Sequence, residues 1–142
     1  MLALVRYNRY METRARSARS SVLIVDDSTT NVVLTTSILE RAGYHCLSAE
    51  NAADGISLAK LAKPDVILMD MGLPDMDGCD ATHILREDPT TKDIPIIMVT
   101  AYAMRSDAER ARVAGCDDYL TKPIDRQKLC ERVEALIGRT TR

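Results

Sequence analysis

Five polar or charged residues follow short apolar runs in the sequence, and together their side chains suit phosphate chemistry. They are two adjacent aspartates, a third aspartate, a threonine and a lysine: Asp26, Asp27, Asp70, Thr100 and Lys122. A carboxylate can attack phosphorus and form an aspartyl phosphate. An ammonium group neutralises charge on the phosphoryl oxygens, and a hydroxyl can donate a hydrogen bond to them. The set therefore predicts a phosphoryl site, provided that the fold brings the five residues together.

The apolar runs have the length and composition of buried β-strands. The three strong runs are continuous rather than alternating, as expected for strands covered on both faces of a parallel sheet. The runs are 22–25, 66–69 and 94–99, with weaker ones at 44–49 and 119–121. A segment of helical length follows each run, and the last of these places Leu129, Val133 and Leu136 on a single apolar stripe. The sequence predicts five βα units over residues 21–138 in a doubly wound α/β fold, with helices on both faces of one parallel sheet.

These elements would place the polar residues at one edge of the sheet. Ligands of an open parallel sheet bind beyond the carboxyl ends of its strands, and all five residues fall at such ends. Three adjacent carboxylates repel one another unless a cation lies between them. Mg²⁺ binds carboxylate and phosphate oxygens while keeping several waters. A magnesium-dependent phosphoryl site is therefore expected at Asp26, Asp27 and Asp70.

Each of these residues also has a purely structural interpretation. Asp26 and Asp27 can form a turn or cap a helix, and Asp70 can open a loop. Thr100 can be an N-cap, and Lys122 can be a solvated surface lysine. Their shared position at the same end of consecutive strands favours the functional interpretation.

Composition and charge narrow the classes of function. The chain of 142 residues has no Phe and no Trp, so base stacking is not expected to be its main activity. No apolar run is long enough to span a membrane.

The net charge of −2 divides into +4 over residues 1–20 and −6 over the remainder. The Arg-rich segment 1–20 is expected to be a flexible extension, although a basic arm can also contact nucleic acid or a membrane surface. The four cysteines show no CxxC pair and no metal-ligand spacing; they could form two disulfides, but we expect a cytoplasmic protein, in which thiols stay reduced.

Five ordered motifs make residues 21–138 resemble the receiver domain of two-component response regulators, in the CheY-like superfamily, and single-domain regulators of the DivK kind in particular. The motifs are Val22-Leu23-Ile24-Val25-Asp26-Asp27, Asp65-Val66-Ile67-Leu68-Met69-Asp70, Leu73-Pro74-x-x-x-Gly78, Val99-Thr100-Ala101 and Tyr119-Leu120-Thr121-Lys122-Pro123. The resemblance implies a flavodoxin-like (βα)5 fold with strand order 2-1-3-4-5. It divides the chain into an extension (1–20), a receiver domain (21–138) and a short tail (139–142).

The resemblance assigns a role to each acidic residue. Asp70 matches the phosphoacceptor. Asp27 and Asp70 match the carboxylates that bind Mg²⁺ directly, and Asp26 matches one that acts largely through water. Gly72 matches the residue whose backbone carbonyl completes the metal shell. Mn²⁺ is a possible substitute for Mg²⁺ at such a site.

The resemblance also assigns a switch. Thr100 and Lys122 match the phosphoryl contacts, with Ala101 beside them, and Tyr119 matches the aromatic residue that turns inward when Thr100 moves toward the phosphoryl group. Further matches concern one peptide bond and two positions that tune the lifetime of the phosphoryl group. These are the Lys122–Pro123 bond, which is usually cis in the family, and the residues Gly72 and Tyr102.

The function that the resemblance implies is that of a stand-alone receiver in a phosphorelay, which is a signalling domain rather than an enzyme for an external substrate. The donor would be a phosphohistidine on a histidine kinase or phosphotransfer protein. The face made by the receiver's fourth helix, fifth strand and fifth helix would pass the signal to a downstream protein. Two alternatives stay open: a receiver fragment of a hybrid histidine kinase, and a receiver-like adaptor that works without phosphorylation.

Two other classes fit the sequence less well. A haloacid-dehalogenase-type phosphatase needs a second Asp two residues after its nucleophile, where this sequence has Gly72. Residues 139–142 are too few for a recognition helix, so sequence-specific binding of nucleic acid is not expected. We expect no membrane partner and a monomer or weak dimer.

Overall fold

Five parallel strands form one sheet in the computed structural model, which describes residues 2–14, 19–101 and 104–140. The strands are β1 (Ser21–Val25), β2 (His45–Ala49), β3 (Val66–Asp70), β4 (Ile96–Thr100) and β5 (Asp118–Thr121). Their order across the sheet is β2-β1-β3-β4-β5, as predicted. Every residue of β1, β3 and β4 is buried, because these strands are covered on both faces. The doubly wound fold is thereby confirmed.

Six helices accompany the sheet in the described ranges. They are α1 (Leu2–Arg14), α2 (Thr29–Arg41), α3 (Ala52–Ala62), α4 (Gly78–Glu87), α5 (Arg105–Ala114) and α6 (Arg126–Thr140). Helices α2 to α6 each follow a strand and complete the five βα units. None of the helices in these ranges is long and apolar enough to cross a bilayer.

Two apolar layers sandwich the sheet, because successive strand residues point to opposite faces. Leu23, Val25 and Met69 belong to the layer that contains residues of α1, α3, α4 and α5. Val22 and Leu68 belong to the layer that contains residues of α2 and α6. The fully buried side chains with the largest volumes are aliphatic or Met, which agrees with a sequence that has no Phe or Trp.

Helix ends near the carboxyl edge of the sheet are fixed by polar caps. Ser28 Oγ accepts a hydrogen bond from the Asn31 amide at the start of α2. Asn51 Oδ1 accepts one from the Asp54 amide at 2.8 Å at the start of α3. These bonds satisfy amides that a helix leaves without internal partners. The loops that follow β1 and β2 are thereby held in place.

Helix α1 differs from the predicted flexible extension. The Tyr10 side chain is only 5% exposed, and Ala3 and Tyr7 pack against the same core layer. Positions 3, 7 and 10 follow the i, i+4, i+7 spacing of an apolar helix stripe. The arginines that dominate the composition of this segment conceal that stripe. Arg6 fastens the helix to the sheet, because its Nη1 donates to the Ser48 carbonyl oxygen at 3.1 Å.

Candidate functional site

Three carboxylates lie together at the carboxyl edge of the sheet. Asp26 and Asp27 directly follow β1, and Asp70 is the last residue of β3. One oxygen of each carboxylate lies within 4.8 Å of one oxygen of the other two. Asp26 and Asp70 are each 6% exposed, whereas Asp27 is open to solvent. Three oxygens at this spacing form a donor set that fits a hard divalent cation.

Backbone amides orient the two buried carboxylates. The Ser28 amide donates to Asp26 Oδ1 at 2.9 Å, and the Gly72 amide donates to Asp70 Oδ1 at 3.1 Å. Each carboxylate therefore has one oxygen held by its own loop. The other oxygen of each, Oδ2, faces Lys122.

Lys122 joins the two buried aspartates. It follows β5, and its Nζ lies 3.1 Å from Asp70 Oδ2 and 3.3 Å from Asp26 Oδ2. Burial lowers the pKa of Lys122, but the charges and hydrogen bonds of Asp70 and Asp26 outweigh burial and raise the pKa above its usual value. Lys122 is therefore a fixed positive charge beside Asp70.

The pKa of Asp26 is raised for two main reasons. Burial is the larger cause, and the nearby charge of Asp70 adds to it. The hydrogen bond from Ser28 and the charge of Lys122 act in the opposite direction without cancelling the shift. One lysine thus leaves excess negative charge at this edge, which favours the binding of a further cation.

Thr100 completes the edge at the end of β4. It is 2% exposed, and its carbonyl oxygen accepts a hydrogen bond from the Lys122 amide at 2.7 Å. Ala101, the next residue, is exposed. The Lys122–Pro123 peptide bond is cis. The ends of β4 and β5 are therefore joined directly behind the acidic cluster.

Tyr119 contacts Thr100 from the middle of β5. The tyrosine is half-buried and packs against the core layer of α3, α4 and α5. Burial and the Asp107 charge raise the pKa of Tyr119, and a side-chain hydrogen bond with Thr100 opposes them. A displacement of the Thr100 side chain would therefore change a contact of Tyr119. Tyr102, the second residue predicted to tune the site, lies outside the described residues.

The loop between β3 and α4 is held close to Asp70. Gly72 forms an isolated antiparallel bridge with Asp77, and the Gly78 amide donates to the Met71 carbonyl oxygen at 2.9 Å. A Cβ atom at Gly78 would lie 2.9 Å from Met71 Cα and still nearer to the Asp70 backbone. Only glycine fits there without a shift of the chain that carries Asp70.

Two aspartates of this loop have roles that the sequence did not reveal. Asp75 accepts hydrogen bonds from the first amides of α3, those of Ala52 at 2.8 Å and Ala53 at 3.0 Å. Asp77 caps α4 and forms a 2.7 Å ion pair with Arg110 of α5. The only local signal was the position of Asp77 just before a helix. The amides that Asp75 binds and the Arg110 partner of Asp77 are all more than 20 positions away in the sequence.

The fold and the site define the class of protein: an α/β domain with an acidic cluster and a paired lysine at the carboxyl edge of a doubly wound sheet. The sequence model of the response regulator receiver domain matches residues 22–134, and the chain belongs to this family. Members of the family are signalling domains of two-component systems rather than conventional enzymes.

Curated relatives and solved structures agree with this membership. The chain is 42% identical to the protein PilH of Pseudomonas aeruginosa over 117 residues, which cover 82% of this chain and 97% of PilH. It is 38% identical to the polar-differentiation response regulator DivK of Brucella anthropi over 118 residues, which cover 83% of this chain and 96% of DivK. PilH and DivK are single-domain response regulators.

One similar structure holds a metal ion at its active site. It is the receiver domain of a sensor histidine kinase from Pseudomonas aeruginosa, solved with a magnesium ion in the active-site cleft. The TM-score is 0.80 at 33% identity, and the match covers 85% of this chain and 99% of that one. A putative response regulator from Chloroflexus aurantiacus matches with a TM-score of 0.82 at 32% identity, over 84% of this chain and 98% of that one.

Proposed function

We propose that the chain is a stand-alone receiver that accepts a phosphoryl group on Asp70. The observation that carries the proposal is the position of Lys122 Nζ, which contacts the Oδ2 atoms of both Asp70 and Asp26 within the cluster of three carboxylates. A charged lysine fixed beside a carboxylate is the arrangement that a phosphoryl group, with its negative oxygens, requires.

The residues that would hold Mg²⁺, or Mn²⁺ in its place, are Asp26, Asp27, Asp70 and the backbone carbonyl of Gly72. The three clustered carboxylate oxygens fit this role. The bound cation would neutralise charge on the carboxylates and on the incoming phosphoryl oxygens. The magnesium-bound receiver of the Pseudomonas sensor kinase supports the choice of metal.

Asp70 acts as the nucleophile in the proposed reaction. A carboxylate oxygen attacks the phosphorus of a phosphohistidine, the P–N bond breaks, and the imidazole leaves with the bonding electron pair. Lys122 neutralises charge on the phosphoryl oxygens, and the Thr100 hydroxyl donates a hydrogen bond to one of them. The donor would be a histidine kinase or a phosphotransfer protein.

The output would travel through Thr100 and Tyr119. Phosphorylation replaces the single negative charge of the Asp70 carboxylate with a phosphoryl group of about two negative charges and three acceptor oxygens, which draw Thr100 away from its contact with Tyr119. The change would alter the surface made by α5, β5 and α6, which are the fourth helix, fifth strand and fifth helix of the receiver, and a downstream protein would bind the altered surface. We place this signalling in the cytoplasm, and we assign the lifetime of the phosphoryl group to Gly72 and Tyr102.

The similarity to sensor-kinase receivers gives a second candidate. Two of the similar structures are receiver domains of histidine kinases, from Pseudomonas aeruginosa and from Syntrophus aciditrophicus. A receiver of this kind would take its phosphoryl group from a kinase domain in the same polypeptide. The identity of 42% to PilH and 38% to DivK, which are single-domain response regulators, supports the stand-alone form.

Acetyl phosphate tests the proposed reaction. Purified protein is incubated with acetyl phosphate and Mg²⁺, and its intact mass is measured. We expect the gain of one phosphoryl group in the wild type and in the control Asp93→Asn, which alters an exposed carboxylate remote from the site. Asp70→Asn must show no gain. An equal gain in the wild type and Asp70→Asn would refute the assignment of the phosphoacceptor, and no gain in either would leave a phosphorylation-independent adaptor.

A further inference from the structure

A cleft of about 540 Å³ lies between α1 and the edge strand β2. Its lining includes three arginines, two tyrosines, a histidine and a glutamate: Arg6, Arg9, Arg19, Tyr10, Tyr44, His45 and Glu40. The three arginines precede residue 22, where the match to the receiver family begins. The receiver function described above therefore does not account for this cleft, which exists because α1 is folded against the sheet.

The lining of the cleft is positively charged. The described lining contains three arginines and one carboxylate, that of Glu40, and Glu50 pairs with Arg6 beside it, so cationic side chains outnumber acidic ones here, although the chain as a whole has a net charge of −2. A guanidinium group presents several N–H donors in a plane and binds carboxylate or phosphate through paired hydrogen bonds. The charge of the lining thus favours an anionic ligand.

Arg6 is already positioned at the rim of the cleft. Its Nη1 donates to the Ser48 carbonyl oxygen at 3.1 Å, and its Nη2 pairs with Glu50 at 3.3 Å. These bonds fix the guanidinium against the edge of β2. A ligand therefore meets a donor whose orientation is settled before binding, which lowers the entropy lost on association.

His45 supplies a separate observation. Its backbone amide donates to the Ser20 carbonyl oxygen at 2.9 Å, which holds the residue at the start of β2. The ring atom Nε2 is buried and has no hydrogen-bond partner among the described residues. A buried polar atom of this kind is unfavourable until it finds a partner, and a ligand oxygen in the cleft would provide one.

We propose that this cleft binds a small organic anion with a carboxylate or phosphate group and an aromatic or apolar body. The anionic group would be held by the arginines and His45. Tyr10 and Tyr44 line the same cleft and offer aromatic surface to the body of the ligand. The volume lies within the range of about 300–1,000 Å³ that is usual for small-molecule sites.

Amide NMR titrations of the full chain test this proposal. Four probes separate the chemical requirements: phenyl phosphate, benzoate, inorganic phosphate and the neutral benzyl alcohol. Excess EDTA removes divalent cations that would otherwise bind the acidic cluster around Asp70. We expect phenyl phosphate, benzoate or both to shift amides of α1 and β2, with a Kd at least tenfold lower than that of inorganic phosphate. Benzyl alcohol should cause no such shifts, and the better of the two aromatic anions identifies the preferred group.

Variants locate the site and separate it from the proposed phosphoacceptor. Arg9→Gln and His45→Phe should each weaken binding about tenfold, while Arg126→Gln, an exposed arginine outside the cleft, should bind as the wild type does. Arg19→Gln serves in place of either variant that fails to fold by circular dichroism. Unchanged binding in Asp70→Asn is expected, so the result is independent of the receiver function. Absence of shifts with both aromatic anions, or equal binding by all variants, would overturn the proposal.

Discussion

Replacing Asp26 with Asn should make the metal-free protein more stable while it impairs phosphorylation. Asp26 is buried beside Asp70, and its raised pKa shows that the folded protein disfavours its charge. Asparagine keeps an oxygen for the Ser28 amide but carries no charge. Removing a charge that the fold has buried at a net cost stabilises the folded state.

The distances in the site set the magnitude. The carboxylates of Asp26 and Asp70 lie within 4.8 Å of each other, which at an effective dielectric constant of about 20 gives a repulsion of about 3.5 kcal/mol. The 3.3 Å contact with Lys122 gives an attraction of about 5 kcal/mol at the same dielectric constant. Desolvation of the buried carboxylate costs several kcal/mol. The balance predicts that Asp26→Asn stabilises the protein by about 1–2 kcal/mol, which is an increase in Tm of roughly 3–8 °C.

The stability difference between the wild type and Asp26→Asn should also depend on pH. The pKa of Asp26 is raised above its ordinary 3.8 in the folded state. Between the ordinary and the raised pKa, the folded protein therefore binds a proton at Asp26 that the unfolded chain has lost. Wild-type stability therefore falls as pH rises through the raised pKa. The advantage of Asp26→Asn should be absent at pH values below the ordinary pKa and complete above the raised one.

Urea unfolding in EDTA, repeated across that pH range, measures the difference. Asp27→Asn is the control, because this neighbouring carboxylate is exposed and its removal should change stability much less. Added Mg²⁺ should stabilise the wild type more than Asp26→Asn, since the variant lacks one carboxylate of the cluster. A variant that is less stable than the wild type, or a gain that does not depend on pH, would refute the reasoning.

Three further variants probe other parts of the molecule by urea unfolding at neutral pH. Lys122→Met should lower stability by about 3 kcal/mol in EDTA, because two buried carboxylates lose their shared cation; millimolar Mg²⁺ should restore part of the loss, and no recovery would contradict a cation site. Gly78→Ala should lower the free energy of unfolding by about 1–3 kcal/mol, because its Cβ would meet the backbone of Asp70 and Met71. Acetyl phosphate should also label this variant more slowly, and unchanged stability would disprove the close contact. Tyr10→Ala should lower the free energy of unfolding by about 2–3 kcal/mol, because the Tyr10 residue is buried. Met11→Ala, on the exposed side of α1, should have little effect, and equal effects of the two variants would show that α1 does not pack as described.

The sequence predicted the acidic edge because its residues end apolar runs. Asp26, Asp70 and Thr100 each follow or close a continuous hydrophobic stretch, and parallel strands bring such positions to one edge. This argument needs only local pattern and topology, so the fold and the placement of the acidic cluster could be anticipated without coordinates.

Contacts between distant segments could not be anticipated in this way. Arg110 and Asp77 are 33 positions apart, and no local pattern distinguishes Arg110 from the other arginines of α5. Helix α1 was missed for another reason. Its buried stripe consists of Ala3, Tyr7 and Tyr10, which is too weakly apolar to stand out among the arginines, and tertiary packing rather than propensity stabilises such a helix.

The position of α1 also makes the two borders of the sheet unequal. Arg6 occupies the Ser48 carbonyl on the outer side of β2, so that border offers fewer groups for pairing with a foreign strand. At the opposite border, β5 pairs with β4 alone within the described ranges and is only four residues long. Strand exchange, domain swapping or fibril growth would therefore begin at β5, and its shortness limits all three.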